Sequence, residues 1–262
     1  MLKGKTALIT GSTSGIGLGI AKALARQGAN IVLNGFGDVE GPRAEVLAAA
    51  HSGAGAVSVQ YHGADMSRAA DIADMFDYSA AQFGRVDILV NNAGIQHVAR
   101  VEDFPPERWD AIIAINLSSA FHTTRLALPA MQQAGWGRVI NIASVHGLVG
   151  SAEKAAYVAA KHGIVGFTKV TALENAKSGV TSNAICPGWV LTPLVQKQID
   201  AKAAEQKISA EEATKLLLQE KEPSLRFTTP EELGALAVFC CSEAGQNVTG
   251  VAWNMDGGWT AQ

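Results

Sequence analysis

Residues 5–17 constrain the fold more than any other stretch of this chain. Lys5-Thr6-Ala7-Leu8-Ile9-Thr10 reads as a short buried strand. It runs directly into Gly11-Ser12-Thr13-Ser14-Gly15-Ile16-Gly17, and an Ala/Leu-rich helical run then continues to about Gln27. A strand, a glycine-rich turn and a helix in that order open a dinucleotide-binding unit. Gly11 and Gly15 permit a tight turn and close approach of the backbone to a pyrophosphate, and Gly17 lets the helix pack closely. The turn residues Thr13, Ser14 and Ile16 deliver the chain to a helix N-terminus, where free N–H groups and a partial positive charge favour phosphate. The spacing is G-x-x-x-G-x-G, not G-x-G-x-x-G.

The rest of the chain alternates in the same way. Strands are expected near 5–10, 29–34, 56–61, 86–91, 137–143, 180–186 and 251–255, and helices near 15–27, 40–53, 67–83, 106–134, 154–178 and 230–243. That alternation predicts an α/β, doubly wound, mainly parallel seven-stranded sheet with helices on both faces. Asp87-Ile88-Leu89-Val90 is continuously apolar after its aspartate, as a strand buried on both faces should be. At 262 residues, with no linker or low-complexity run, residues 1–262 read as a single domain. Residues 191–224 break the pattern: Lys, Glu, Gln and Ala recur at helical spacing. They are expected to form a helical excursion over the C-terminal edge of the sheet, where ligands bind. It is either a solvated surface segment or a lid over the substrate.

A formal charge of −3 with scattered basic residues argues against a nucleic-acid surface or a basic membrane patch. There is no long apolar span, and Met1-Leu2-Lys3-Gly4 leads directly into the first strand without a signal peptide. Cys186, Cys240 and Cys241 are spaced like neither a metal site nor a disulfide framework. A soluble, cytoplasmic protein with no metal is the expectation.

Ser144, Tyr157 and Lys161 carry the chemistry. Tyr157 and Lys161 are four residues apart and share a helix face. At ~4 Å and an effective dielectric of ~20, a lysine ammonium would favour a phenolate by about 4 kcal/mol. That is enough to bring a tyrosine pKa from ~10 towards neutrality. The Ser144 hydroxyl could then hold a substrate oxygen while Tyr157 gives or takes its proton.

Together these motifs resemble the short-chain dehydrogenase/reductase family over nearly the whole chain. The turn from Thr10 to Gly17 matches its cofactor motif, and Asn91-Asn92-Ala93-Gly94 its N-N-A-G. Asn116, the Ser144–Tyr157–Lys161 set, and Pro187-Gly188 followed by Val190 and Thr192 match in turn. The resemblance implies a Rossmann-type fold, a nicotinamide cofactor and Tyr157 as acid/base. It also implies that Lys161 lowers the phenol pKa and binds the nicotinamide ribose, that Ser144 orients the substrate, and that Asn116 anchors a proton-relay water. Without the resemblance, Asn116 reads as a buried, satisfied amide. Asp65, in Gly63-Ala64-Asp65-Met66, matches a position that hydrogen-bonds adenine, with a helix cap as the alternative. Members of the family usually pair long helices, so a homotetramer is expected.

Cofactor choice turns on the end of the second strand, where an acid would bind a ribose 2′-OH and a basic residue a 2′-phosphate. Val32-Leu33-Asn34-Gly35-Phe36-Gly37-Asp38 places Phe36 there, with no Arg or Lys before Arg43. NAD is therefore expected. Near the catalytic set stand Gln96, His146, Lys154, Trp189, Gln196, Gln198 and Trp259. A cation with amide and imidazole donors suits a substrate carboxylate, and the tryptophans would cover a short apolar body. This set resembles the family members that oxidise (R)-3-hydroxybutyrate to acetoacetate. Two other readings remain: a 3-oxoacyl thioester reductase using NADPH, and a non-catalytic nucleotide-binding module.

Overall fold

The computed structural model describes residues 1–261 apart from Ala54. The strands are β1 (Thr6–Ile9), β2 (Asn30–Asn34), β3 (Val59–His62), β4 (Ile88–Asn91), β5 (Gly137–Ile142), β6 (Val180–Pro187) and β7 (Ala252–Met255). They form a single sheet in the order β3-β2-β1-β4-β5-β6-β7, with every pairing parallel. The expected seven-stranded parallel sheet is what the chain makes. Its helices are α1 (Gly15–Arg26), α2 (Glu40–His51), α3 (Ala69–Phe83), α4 (Pro106–Ile113), α5 (Ser119–Gln133), α6 (Ala155–Glu174), α7 (Pro193–Gln206), α8 (Ala210–Lys221) and α9 (Pro230–Cys241).

Strand periodicity explains how both faces are covered. In β1, Ala7 and Ile9 pack with Ile20 and Leu24 of α1 and with Leu233 and Ala237 of α9. Leu8, one residue out of phase, packs on the other face with Ile72 and Met75 of α3 and Met131 of α5. Each such Leu or Ile withdrawn from water contributes roughly 1.5–3 kcal/mol before entropy is counted. Cys186, Cys240 and Cys241 are free and buried, as small core residues. None of the described helices is long and apolar enough to cross a membrane.

Two expectations need adjusting. The predicted helix over 106–134 is α4 and α5 joined by a π-helical turn at Ala114–Ser118, which carries Asn116. Residues 191–224 are two helices instead of one run. Thr192 caps α7 by accepting from the Val195 N–H, and Ser209 caps α8 by accepting from the Glu212 N–H. Val195 and Ile199 of α7 bury against Ala213 and Leu217 of α8, together with Trp189 and Phe227. The excursion therefore has a small core of its own.

The chain runs outward from β1 through β2 to β3, then returns to the other side of β1 with β4. The loops after β1 and β4 therefore diverge at the sheet's C-terminal edge and leave a crevice between them. The glycine turn is packed hard against this seam. A Cβ at Gly17 would lie 2.5 Å from the Gly11 carbonyl oxygen and 2.6 Å from Asn92 Nδ2. Gly17→Val is therefore expected to cost about 1–3 kcal/mol of stability through overpacking. Urea unfolding would measure this, and an unchanged midpoint would contradict the close approach.

Candidate active site

A cavity of about 460 Å³ occupies the crevice, running from the glycine turn to a pair of tryptophans. One end is walled by Gly11, Thr13, Ser14, Gly15 and Ile16, by Asn34 to Phe36, and by Ala64 to Met66. Thr10 fastens this end across the seam. Its hydroxyl accepts the N–H groups of Asn92 (2.9 Å) and Ala93 (3.0 Å), while Asn92 Nδ2 donates to the carbonyls of Thr10 and Gly11. Asn34, 1% exposed, does the same from β2. Its Oδ1 accepts from Gly11 N–H, and its Nδ2 donates to the carbonyls of His62 and Ala64. The sequence reading did not single out Asn34 or Thr10, because a polar residue ending an apolar strand carries no signal of what lies across from it.

Gly11 and Gly15 take positive φ angles of 60° and 55°. A Cβ on Gly11 would come within 2.9 Å of Ala93 Cα, so the turn can pass only as glycine. Ser14 precedes α1 without a side-chain cap, leaving first-turn N–H groups available beside the cavity. Phe36 is 70% exposed and lines the cavity, and its carbonyl accepts the Thr13 hydroxyl. Asp38 turns away to accept the N–H groups of Glu40 and Gly41 at the start of α2. Asp65 lines the cavity and accepts both the N–H and the hydroxyl of Ser67, which hold its carboxyl below the usual range. It organises the turn before α3 as well as facing the crevice.

Ser144 lies just beyond β5 and opens a short 3-10 turn, while Tyr157 and Lys161 project from the first turns of α6 into the cavity's middle. Their electrostatics differ from the expectation. Lys161, 4% exposed, donates to the Ile142 carbonyl at 2.7 Å, and its Nζ lies 5.5 Å from the Tyr157 ring centroid. Burial lowers its pKa to about 8. Burial also raises the Tyr157 pKa, and the nearby Ser144 hydroxyl, which favours the phenolate, offsets only part of this. In this arrangement burial dominates the phenol pKa.

The far end gathers most of the remaining polar set. His146 is 5% exposed: its Nδ1 lies 3.3 Å from Ser144 Oγ, and its Nε2 is buried without a hydrogen-bond partner among the described residues. Its ring meets Tyr157 and Trp259 edge-on, at 5.9 and 5.4 Å between centroids. Trp189 and Trp259 lie 6.0 Å apart, and Lys154 Nζ stands 5.5 Å from the Trp189 ring centroid. Lys154 is the N-cap residue of α6 rather than part of the helix face, yet it reaches the same cavity. Burial lowers its pKa, and Lys221 adds to the lowering while Glu220 opposes it. Gln96, Gln198, Pro187, Gly188, Val190 and Thr192 complete the wall with Asn92, Ala93 and Gly94.

Three residues stand apart. Gln196 donates to Asp200 on the exposed side of α7 and does not line the cavity. Gly17 lies under the turn as a packing residue. Asn116, 2% exposed, has both halves of its amide committed to Ile95: Oδ1 accepts the N–H at 2.9 Å and Nδ2 donates to the carbonyl at 3.0 Å. It holds the loop that carries Gln96, and in this arrangement it is the satisfied amide.

The profile of the short chain dehydrogenases matches residues 5–203. This chain belongs to the short-chain dehydrogenase family. It is 70% identical over 262 residues to the D-beta-hydroxybutyrate dehydrogenase of Cupriavidus necator, covering all of both chains. It is 55% identical over 258 residues to the protein of the same name from Rhizobium meliloti, covering 98% of this chain and 99% of that one. The crystal structure of levodione reductase superposes with a TM-score of 0.90 at 32% identity, covering 100% of this chain and 99% of that one. Short-chain dehydrogenases use a nicotinamide cofactor. The glycine turn fits one: backbone approaches where a Cβ would collide, and uncapped N–H groups meet the cavity.

Burial lowers the His146 pKa to about 4, with the Lys154 charge adding to it. The ring is therefore neutral when folded, whereas the unfolded chain takes a proton near 6.5. Between those values the unfolded state binds more protons, so stability rises with pH there and is lost as pH falls from about 6.5 towards 4. His146→Asn is expected to flatten that limb of an unfolding-midpoint-against-pH curve. Parallel curves for wild type and variant would show that His146 is not the titrating group.

Proposed function

We propose that this protein catalyses reversible NAD-dependent oxidation of (R)-3-hydroxybutyrate to acetoacetate. The observation that carries the reading is the placement of a cation, Lys154, and a buried neutral imidazole, His146, beside Ser144 and Tyr157 in one cavity. The two full-length relatives named for D-beta-hydroxybutyrate support the same substrate.

Lys154 pairs with the substrate carboxylate, and the incoming charge opposes the burial that lowers its pKa. His146 Nε2, which has no partner among the described residues, and the Gln96 and Gln198 amides offer hydrogen bonds to the same group. Trp189 and Trp259 cover the short apolar body and exclude water. Ser144 Oγ holds the carbinol oxygen beside Tyr157 Oη, which accepts the alcohol proton. A nicotinamide cofactor held by the glycine turn around Gly11, Thr13, Ser14 and Gly15 would supply the hydride acceptor for the carbinol carbon. Lys161 Nζ is poised beneath the Tyr157 ring to stabilise the phenolate that base catalysis requires, and in the reverse reaction the phenol returns its proton.

We read the cofactor as NAD. Among the described residues no Arg or Lys lines the cavity near Gly11, Asn34 to Phe36 or Ala64 to Met66, so a 2′-phosphate would meet no cation from them there. Residues 1–262 act on this reading as one domain, with 191–224 as the lid. Exposed Phe121, Val170 and Leu173 on α5 and α6 support association of copies, with a homotetramer as the expected state.

Two measurements test the assignment. Lys154→Ala is expected to lose roughly 2–5 kcal/mol of transition-state stabilisation on 3-hydroxybutyrate and little on its methyl ester. Tyr157→Phe should lose at least ~10²-fold on both. Equal losses of acid and ester in Lys154→Ala would return the protein to a generic reductase. Separately, kcat/KM should be higher with NAD than with NADP, and Arg introduced at Phe36 should narrow the gap. A wild-type preference for NADP would refute the reading of the β2 end.

A further inference from the structure

Two buried carboxylates lie behind the aromatic end of the cavity without lining it. Glu222, at the C-terminal end of α8, is 1% exposed, and Asp256, just after β7, is 7% exposed. Glu222 Oε1 accepts the Trp189 N–H, and the Trp189 carbonyl accepts the Thr228 N–H at 3.0 Å. The main chain of Trp189 is thus gripped on both sides by the segment that returns from α8. Asp256 winds the C-terminal turn that carries the second tryptophan. Its Oδ1 accepts Gly258 N–H, its Oδ2 accepts the N–H and hydroxyl of Thr260, and its carbonyl accepts Trp259 N–H.

The two devices meet at Gly188. A Cβ there would collide with both Glu222 Oε1 and Asp256 Cα. Glu222 Oε2 is buried with no hydrogen-bond partner among the described residues. An ionised carboxylate in that position would leave one oxygen unsatisfied beside a second carboxylate, which is the costly arrangement. We propose that Glu222 and Asp256 are a coupled pair of positioning residues: with Glu222 protonated, both roots of the 191–224 excursion are fastened to the Asp256 turn and Trp189 and Trp259 close over the substrate, and ionisation of Glu222 loosens that wall.

The charges around Glu222 agree. Burial raises its carboxyl to about 7, the Trp189 N–H opposes the rise, the Asp256 charge adds to it, and Arg226 opposes it. Arg226 is itself engaged by Glu232 at 2.8 Å, and Lys221, on Glu222's own helix, lies 3.8 Å from Glu220. The fastened state holds its proton more tightly than an opened, solvated carboxyl with a pKa near 4.5. Fastening is therefore complete below about 4.5 and is progressively lost as pH rises through about 7.

The kinetic arm of the test rests on the hydroxy-acid reading, and the fluorescence arm does not. In the full-length protein with NAD bound, tryptophan emission is expected to titrate with a midpoint near 7. The same midpoint should vanish in E222Q, whose neutral amide still accepts from Trp189 N–H, and should fall in D256N, where the like charge is gone. KM for 3-hydroxybutyrate should rise about tenfold between pH 5.5 and 8 in wild type, with little change in kcat, and stay low in E222Q. An E222Q protein with the wild-type emission titration, or a D256N midpoint that does not move, would overturn the proposal. An emission titration abolished by E222Q in a protein that does not turn over 3-hydroxybutyrate would support the pair and refute the substrate.

Discussion

The seam between β1 and β4 is the constraint on which the rest of the molecule depends. Parallel strands that wind outward in opposite directions from one point must leave their next loops apart, and the crevice between them is the cavity. Thr10 and Asn92 stitch that seam with four hydrogen bonds, and Asn34 ties the glycine turn to the β3 end. Every one of these groups would otherwise be a desolvated backbone amide or carbonyl at the edge of an apolar core. Satisfying them fixes the turn within a geometry that admits only glycine at Gly11 and Gly17.

Desolvation then governs the chemistry along the cavity. It lowers His146 and Lys161, raises Tyr157 and Glu222, and leaves the half-buried Asp65 to be set by its Ser67 hydrogen bonds. At neutral pH the reactive centre therefore sets a neutral imidazole and a phenol beside the Lys161 ammonium, with Lys154 the basic group at its aromatic end. A substrate carboxylate and a bound cofactor each bring charges that this arrangement is suited to meet. In the protein alone Tyr157 remains a phenol, and the charge that would make it a base must be balanced within the loaded site.

The position of the 191–224 excursion depends on contacts that are remote in sequence. Trp189 belongs to the loop after β6, Glu222 to the end of α8, and Asp256 to the chain beyond β7. Only their convergence gives the aromatic wall a fixed position. The small core shared by α7 and α8 lets the excursion move or hold as one piece, so that its two roots are where its position is decided.

The sequence by itself determined most of the elements and their parallel winding, and it marked Ser144, Tyr157, Lys161, Lys154 and His146 as candidates. Those features rest on local periodicity, glycine chemistry and short spacings. The apolar register of Ala7, Leu8 and Ile9 is legible because a strand must alternate faces. Tertiary structure alone decided three things. The Lys161 ammonium went to the Ile142 carbonyl, because a buried cation takes the nearest strong acceptor. The Asn116 amide went to Ile95, because the π-helical turn aims it there. Asn34 and Glu222 found their partners more than twenty residues away along the chain, and no spacing rule can reveal a partner that only the packed sheet brings near.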